Sequence, residues 1–184
     1  MSFLKTIIKT SLTCFLLAGS FFSLFAQKMT STQHQIKAAY LYNFTQFVEW
    51  PATAFAEEKS PIIIGILGDD LVGSSLEELA TGEKINGHPL KIHRFDVNEE
   101  IFNCHVLFIN VISKQKLKEI LQKIGGGSIL TVSDMPEFIQ KGGMIRFNMV
   151  NNKLRFQINP IASDSAELKI SSKLLQLAEI VYPE

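Results

Sequence analysis

The chain has 184 residues, 46% of them hydrophobic, and its 18 lysines and arginines balance its 18 aspartates and glutamates. Without a net charge it has no electrostatic footprint for DNA, RNA or an anionic membrane surface, so nucleic acid is not an expected partner. The length suits one α/β domain that buries most of its apolar surface, and no repeat, low-complexity tract or Pro/Ser-rich linker divides it.

The first 26 residues predict export from the cytoplasm. Two lysines precede an uncharged apolar run from about residue 11 to residue 25. This run is shorter than the roughly 20 residues of a membrane span, but it fits the centre of a secretory signal peptide. We expect cleavage near Ala26, giving a signal peptide of residues 1–26 and a mature domain of residues 27–184. An uncleaved anchor is the alternative. A lipoprotein is not expected, because Ser20 stands where the lipid-bearing cysteine would be.

The first half of the mature chain predicts a helix followed by alternating strands and helices. Apolar residues at spacings of three and four predict an amphipathic helix over 33–50, which Pro51 ends. The nearly continuous β-branched run 62–67 predicts a central strand that is buried on both faces. After a turn and a second helix, alternating residues around 90–95 predict a strand nearer an edge. The apolar run 106–110 predicts another buried strand.

The second half continues this alternation. Ser113 is expected to cap a helix that runs through Ile124, with lysines on its solvent side, and a strand over 129–132 follows. Asp134 is then expected to cap a short helix over 136–140.

The last part of the chain predicts an antiparallel hairpin and a final helix. Asn151 and Asn152 form a two-residue turn suited to positive φ between strands over 144–150 and 153–159. The final helix starts at Ser171 or Ser172 and is expected to bury its apolar residues, Leu174, Leu175, Leu177, Ala178 and Val181. Strands that alternate with helices are typical of parallel strands joined by right-handed crossovers. The predicted fold is α/β: a single three-layer domain with a mostly parallel central sheet flanked by helices and a C-terminal antiparallel hairpin.

Polar residues follow two of the predicted strands at their carboxyl ends, where open α/β sheets bind ligands. Gly68, Asp69 and Asp70 follow one strand, and Ser133 and Asp134 follow the other. We expect these five residues to line a ligand-binding crevice, in which an acidic pair could hold a hard cation. The alternative is that the aspartates cap the following helices and complement their dipoles.

The sequence contains no pattern typical of a catalytic, metal or cofactor site. The four histidines lack metal-ligand spacing, and no GxSxG, HExxH or CxxC occurs. Cys104 and His105 are adjacent, and adjacent residues on a strand point to opposite faces, so a catalytic pair is not expected. Cys104 is expected to be buried without an internal disulfide partner, because Cys14 leaves with the signal peptide. We therefore predict a protein that is not an enzyme, with an exported hydrolase as the alternative.

Aromatic residues are dense in and after the first predicted helix. Tyr40, Phe44 and Phe47 share one side of this helix and are expected to pack in the core. Tyr42 and Trp50 lie off that side. Because tyrosine and tryptophan dominate interface hot spots, we predict that these two residues bind a partner, with core packing as the alternative.

Eight short blocks follow one another along the mature chain. They are KAAYLYNF (37–44), FVEWP (47–51), ILGDD (66–70), CHVLFI (104–109), LTVSD (130–134), GGMI (142–145), RFQIN (155–159) and ISSKLL (170–175). In this order the set resembles the YfiR-like family of periplasmic regulatory proteins, and it covers nearly all of the mature chain.

The resemblance implies a regulator with an α/β fold that forms a homodimer. YfiR-like proteins bind the periplasmic sensor region of an inner-membrane diguanylate cyclase and hold it inactive, which lowers cyclic di-GMP and biofilm formation. An outer-membrane lipoprotein can sequester the repressor. Proteins of this type also occur beside histidine kinases and outer-membrane receptors, so an accessory role there is an alternative, as is a periplasmic small-molecule binding protein.

The chain departs from the family pattern at one position. Better-known members carry a cysteine in the first strand that bonds to the cysteine of the CHVLF block. Here that strand position is Gly65, so Cys104 has lost the partner that the resemblance implies, and redox control through this bond is not expected.

Overall fold

The structure is a computed structural model that describes residues 32–68, 70–96, 99–101, 103–111 and 113–183. The predicted signal peptide lies outside the described residues. Residues 35–184 form one compact unit, and the described residues of the other unit, 32–34, are the first turn of the first helix. Within the described ranges, no helix is both long enough and apolar enough to cross a bilayer.

The described residues form helices and strands that together make up one α/β domain. The helices are α1 (32–47), α2 (Asp70–Ala80), α3 (Lys114–Ile124), α4 (Pro160–Ser165) and α5 (Ser172–Leu177), with short 3-10 helices at Ala52–Ala54 and Ile139–Lys141. The strands are β1 (Val48–Glu49), β2 (Ile62–Leu67), β3 (Lys84–Ile85), β4 (His88–Phe95), β5 (Val106–Ile109), β6 (Leu130–Ser133), β7 (Ile145–Val150), β8 (Lys153–Ile158), β9 (Lys169–Ile170) and β10 (Glu179–Ile180).

Eight strands form one sheet in the order β10-β8-β7-β6-β5-β2-β4-β3. Neighbours from β7 to β4 are parallel, whereas β7–β8 and β4–β3 are antiparallel pairs. Leu67 pairs with Ile109 and Phe108 with Val132, so the carboxyl ends of β2, β5 and β6 lie side by side. Strands β1 and β9 form a separate antiparallel pair.

Each face of the large sheet has its own buried core. One face is covered by helices α1, α2 and α5, through residues such as Phe44, Leu76 and Leu174, and is called the α1 face. The other face is covered by α3 and is called the α3 face. There Leu117 and Ile120 of α3 pack with residues of β2, β4 and β5. Two helical layers around one sheet make three layers, as the sequence predicts.

Local signals explain several boundaries. The Oγ of Ser113 accepts a hydrogen bond from the Lys116 amide at 3.0 Å and caps α3 as predicted. Asn151 and Asn152 have φ of 50° and 59°, the left-handed values that a two-residue hairpin turn requires. The hairpin and its turn are therefore confirmed.

Two local predictions are wrong. Asp134 does not cap a helix over 136–140; residues 136–138 form a turn that leads into the 3-10 helix Ile139–Lys141, and Asp134 binds Lys37 instead. Leu177 is 69% exposed rather than buried, because α5 ends there. Helix α4 and strand β10 have no counterpart in the sequence-based prediction.

Candidate functional site

Ser133 lies at the carboxyl end of β6 and is completely buried. Its Oγ donates a hydrogen bond to the Ile109 carbonyl at 2.6 Å and accepts one from the Met135 amide at 3.1 Å. The hydroxyl thus joins the ends of β6 and β5 and fixes the turn after β6. Because a hydroxyl has a single proton, Ser133 has none left to donate to a ligand.

Asp134 forms an ion pair with Lys37, which lies on α1. The Lys37 side chain is 11% exposed and that of Asp134 is 29% exposed, so both charges are largely removed from water. The Lys37 ammonium neutralises the carboxylate, and a cation would have to displace it to bind Asp134. The contact ties α1 to the end of β6.

Gly68 ends β2 in a tight approach to β5. Its φ is 91°, and a Cβ at this position would lie 1.9 Å from the Asn110 carbonyl oxygen. The Asn110 amide donates to the Leu67 carbonyl at 2.8 Å. Only glycine fits this conformation and this space, so Gly68 has a clear structural role.

The acidic pair after β2 is only partly among the described residues. Asp69 lies outside the described residues, and of Asp70 only its position as the first residue of α2 is described. Ligand binding by Gly68, Asp69, Asp70, Ser133 and Asp134 therefore stays a prediction. Chemically, the described part of the crevice offers one internal ion pair and a buried, fully used hydroxyl.

Tyr42 lies on α1 and is half-buried against the α1-face core. Its hydroxyl donates a hydrogen bond to Glu83 Oε2 at 3.0 Å. Burial raises the pKa of Tyr42 above its usual value, and the bond to the Glu83 carboxylate and its charge raise it further. A partner could still contact the remaining exposed part of this ring, so its role at an interface stays a prediction.

Trp50 follows β1 and lies over the start of β5. Its Nε1–H donates to the His105 carbonyl at 3.2 Å, and its ring meets the His105 ring edge-on with centroids 5.8 Å apart. The indole is half-buried, so it packs inside the protein as well as facing solvent. Partner binding by Trp50 also stays a prediction.

His105 lies among aromatic rings and has a lowered pKa. It is 5% exposed, and its Nδ1 accepts a hydrogen bond from the Ile63 amide at 3.1 Å, so the ring proton sits on Nε2. Burial, and next the charge of His88, lower the pKa of His105 to about 4, although the Ala54 carbonyl opposes this shift. His105 is therefore a neutral histidine that holds the start of β2.

Cys104 is a free cysteine and is 5% exposed. Burial raises the pKa of its thiol to about 12, which leaves almost no thiolate at neutral pH. At Gly65, a Cβ would lie 2.7 Å from Phe95 Cε2 and 3.0 Å from Leu107 Cδ1. The Phe95 ring thus occupies the space that a side chain at position 65 would need.

Within the described ranges, no three His, Cys, Asp or Glu side chains gather as metal ligands would. An apolar cavity of about 350 Å³ lies beside the glycine-rich loop after α3, lined in part by Ile129, Asn159 and Ala162. The Asn159 side chain accepts from the Ala162 amide and donates to the Gly143 carbonyl, so its hydrogen bonds are already made inside the protein.

Sequence reasoning missed the polar side of the β7–β8 hairpin. Lys153, Arg155 and Gln157 alternate with Leu154, Phe156 and Ile158 along β8, and the first three are exposed or half-exposed. Such alternation is typical of a strand with one face in the core and the other face in solvent, so it could have predicted this polar side. Lys37, the partner of Asp134, was also missed because it lies 97 residues away.

The described residues form a three-layer α/β domain, and Ser133 and Asp134 of the predicted crevice are bonded to other groups of the protein. A family model, YfiR/HmsC-like, matches residues 34–179, and the chain therefore belongs to this family. The family is one of periplasmic regulatory proteins connected with diguanylate cyclase signalling. No curated protein matches the chain.

Proposed function

We propose that this protein is exported to the periplasm and represses the sensor region of an inner-membrane diguanylate cyclase by direct binding. The carrying observation is the family match over residues 34–179, which covers almost all of the described chain. Ser133 binds the Ile109 carbonyl and Asp134 binds the Lys37 ammonium, which supports the same proposal, because it favours action through a surface over chemistry in the crevice.

The proposed mechanism is a population shift. A repressor that binds the inactive conformation of the sensor more tightly than the active one stabilises the inactive state by that difference in affinity. Cyclic di-GMP and biofilm formation then fall. A homodimer of this chain would suit a dimeric sensor, since two-fold symmetry lets one assembly contact both copies. An outer-membrane lipoprotein that sequesters the repressor would restore cyclase activity.

The test is intracellular cyclic di-GMP in the host with and without the gene. Deletion should raise cyclic di-GMP, and the full-length protein should reverse the rise. A version lacking residues 1–26 should not reverse it, because it would stay in the cytoplasm. If deletion leaves cyclic di-GMP unchanged, the cyclase is not the target; if the shortened version restores repression, the protein does not act from the periplasm.

A further inference from the structure

One face of the β7–β8 hairpin carries no helix in the described structure. On the α1 face, Phe147 and Phe156 are buried against α1, with Phe44 stacked 5.9 Å from Phe147 and edge-on 5.4 Å from Phe156. On the opposite side, the α3-face core of described residues contains no residue of β7 or β8. We call this uncovered side the basic hairpin face; its residues are Arg146, Asn148, Lys153, Arg155 and Gln157.

Positive charge dominates the basic hairpin face. Lys153 and Arg155 are exposed, and neither forms an ion pair with a described residue. Arg146 donates to the Met135 carbonyl and to Gln157 Oε1, so its charge is also unneutralised there. Gln157 in turn donates to Glu179 on β10 at 3.0 Å. Among the described residues, three cations thus share this face, and the Glu179 carboxylate lies at its margin.

The same hairpin has an open backbone edge. Strand β10 pairs with β8 only at Gln157 and Ile158, and no described strand lies beside the rest of β8. The Ile158 carbonyl accepts from the Val181 amide, so Ile158 directs its backbone groups outward from the hairpin. Backbone direction alternates along a strand, so Phe156 and Leu154 also direct theirs outward. An extended segment could therefore lengthen β10 along this edge.

We propose that the basic hairpin face and the open edge of β8 bind an extended acidic segment of a protein partner. Every second side chain of a strand added to this edge would lie beside Lys153 and Arg155, which favours acidic residues at alternate positions. The assignment of that segment to the membrane sensor rests on the proposed function. The inference that this surface binds an acidic segment depends only on the charges and the open edge. The competing role for the two cations is protection of the edge against self-association.

The first test uses the mature protein and a fluorescent, end-capped peptide of alternating glutamate and valine. Saturable binding that weakens at high salt is expected. Lys153→Glu with Arg155→Glu should weaken it by at least about tenfold. Lys118→Glu with Lys123→Glu on α3 is the matched control, since both lysines are exposed and the charge change is identical; it should change binding by less than about twofold. Equal effects of the two pairs, or no saturable binding, would overturn the proposal.

Two further measurements separate the proposed surface from other roles. Peptide binding should slow hydrogen exchange of the Leu154 and Phe156 amides, and unchanged exchange there would exclude strand addition. Lys153→Gln with Arg155→Gln tests the edge-protection role. Self-association of this variant with undiminished peptide binding would show that the cations only guard the edge.

The cyclic di-GMP assay with the same variants tests the identity of the partner. The Lys153→Glu and Arg155→Glu pair should fail to repress, whereas the control pair should repress like the wild type. If gene deletion itself has no effect, the proposed function fails and the peptide results still decide the surface. If peptide binding is lost but repression persists, the surface is not the one that binds the sensor.

Discussion

The two ends of the central parallel strands use polar residues in different ways. At the carboxyl ends, Ser133 and Asp134 are held by a hydrogen bond and an ion pair, and Gly68 permits a close backbone approach. At the amino ends, His105 is held neutral among aromatic rings. One end depends on charge and tight backbone contact, the other on exclusion of charge. Both ends are organised to hold the sheet together.

The largest expected effect tests the tight contact at the carboxyl end. Gly68→Ala should lower the free energy of unfolding by about 3 kcal/mol or more, because the new Cβ would overlap the Asn110 carbonyl. Gly82→Ala is the matched control: Gly82 has a φ of 78° but open space around it, so only the conformational penalty of about 1 kcal/mol should appear. Denaturant unfolding measures both. Equal losses would mean that the close approach is not what matters at Gly68.

The next effect concerns the neutral histidine at the amino end. The folded pKa of His105 is about 4 and its ordinary value is 6.5, so the unfolded chain binds more protons between these values. The free energy of unfolding therefore has its full value above about pH 6.5. It falls by up to about 3 kcal/mol as the pH falls toward 4, because the unfolded chain takes up the proton first. Unfolding free energies from pH 8 to pH 4 should show this slope.

The control for that slope is a variant that lacks the titrating ring. His105→Gln should flatten the pH dependence, because glutamine cannot titrate. A titration of the His105 ring by NMR with a pKa near 6.5 would contradict the account of a buried neutral ring.

A smaller effect is expected from the ion pair at the carboxyl end. Asp134→Ala should destabilise the protein by about 2 kcal/mol, because it leaves the Lys37 charge largely buried without a partner. Adding Lys37→Met should recover part of the loss, since no isolated charge then remains. Glu137→Ala removes the exposed partner of Lys114 and should leave thermal unfolding unchanged. Similar losses for Asp134→Ala and Glu137→Ala would remove the distinction between the two pairs.

The smallest effect is expected at Cys104, at the amino end. Its thiol is buried and its pKa is about 12, so the folded protein should resist alkylation by iodoacetamide at pH 8. Mass spectrometry should show rapid modification only after denaturation. Rapid labelling of the folded protein would mean that this end opens readily.

Strong local patterns predicted much of the fold. The β-branched run 62–67 gave β2 with its observed bounds, and Ser113 gave the start of α3. Asn159 before Pro160 is also a local signal, since the Asn159 side chain caps α4 with proline in its first turn, but no prediction used it. Strand β10 has only two residues and pairs with β8 through tertiary contacts, so no periodicity could reveal it.

The candidate site was less predictable than the fold. The order of the strands brings the ends of β2 and β6 to one edge, but what each polar side chain binds there depends on residues distant in sequence. The residues around Asp134 predict that it caps a helix, but in the structure it binds Lys37 on α1. The alternation of polar and apolar residues in β8 predicts the basic hairpin face. Only the structure shows that, among the described residues, no helix covers this face.

The small sheet of β1 and β9 joins segments from opposite ends of the domain. Val48 pairs with Ile170 and Glu49 with Lys169, and the Ser171 amide donates to the Phe47 carbonyl at 2.9 Å. A ribosome releases residue 170 long after residue 48, so β1 and β9 cannot pair during most of synthesis. Contacts of such long range also slow folding. The pairing of β1 with β9 can therefore form only after nearly the whole domain has been synthesised, so it is among the last contacts of the fold to close.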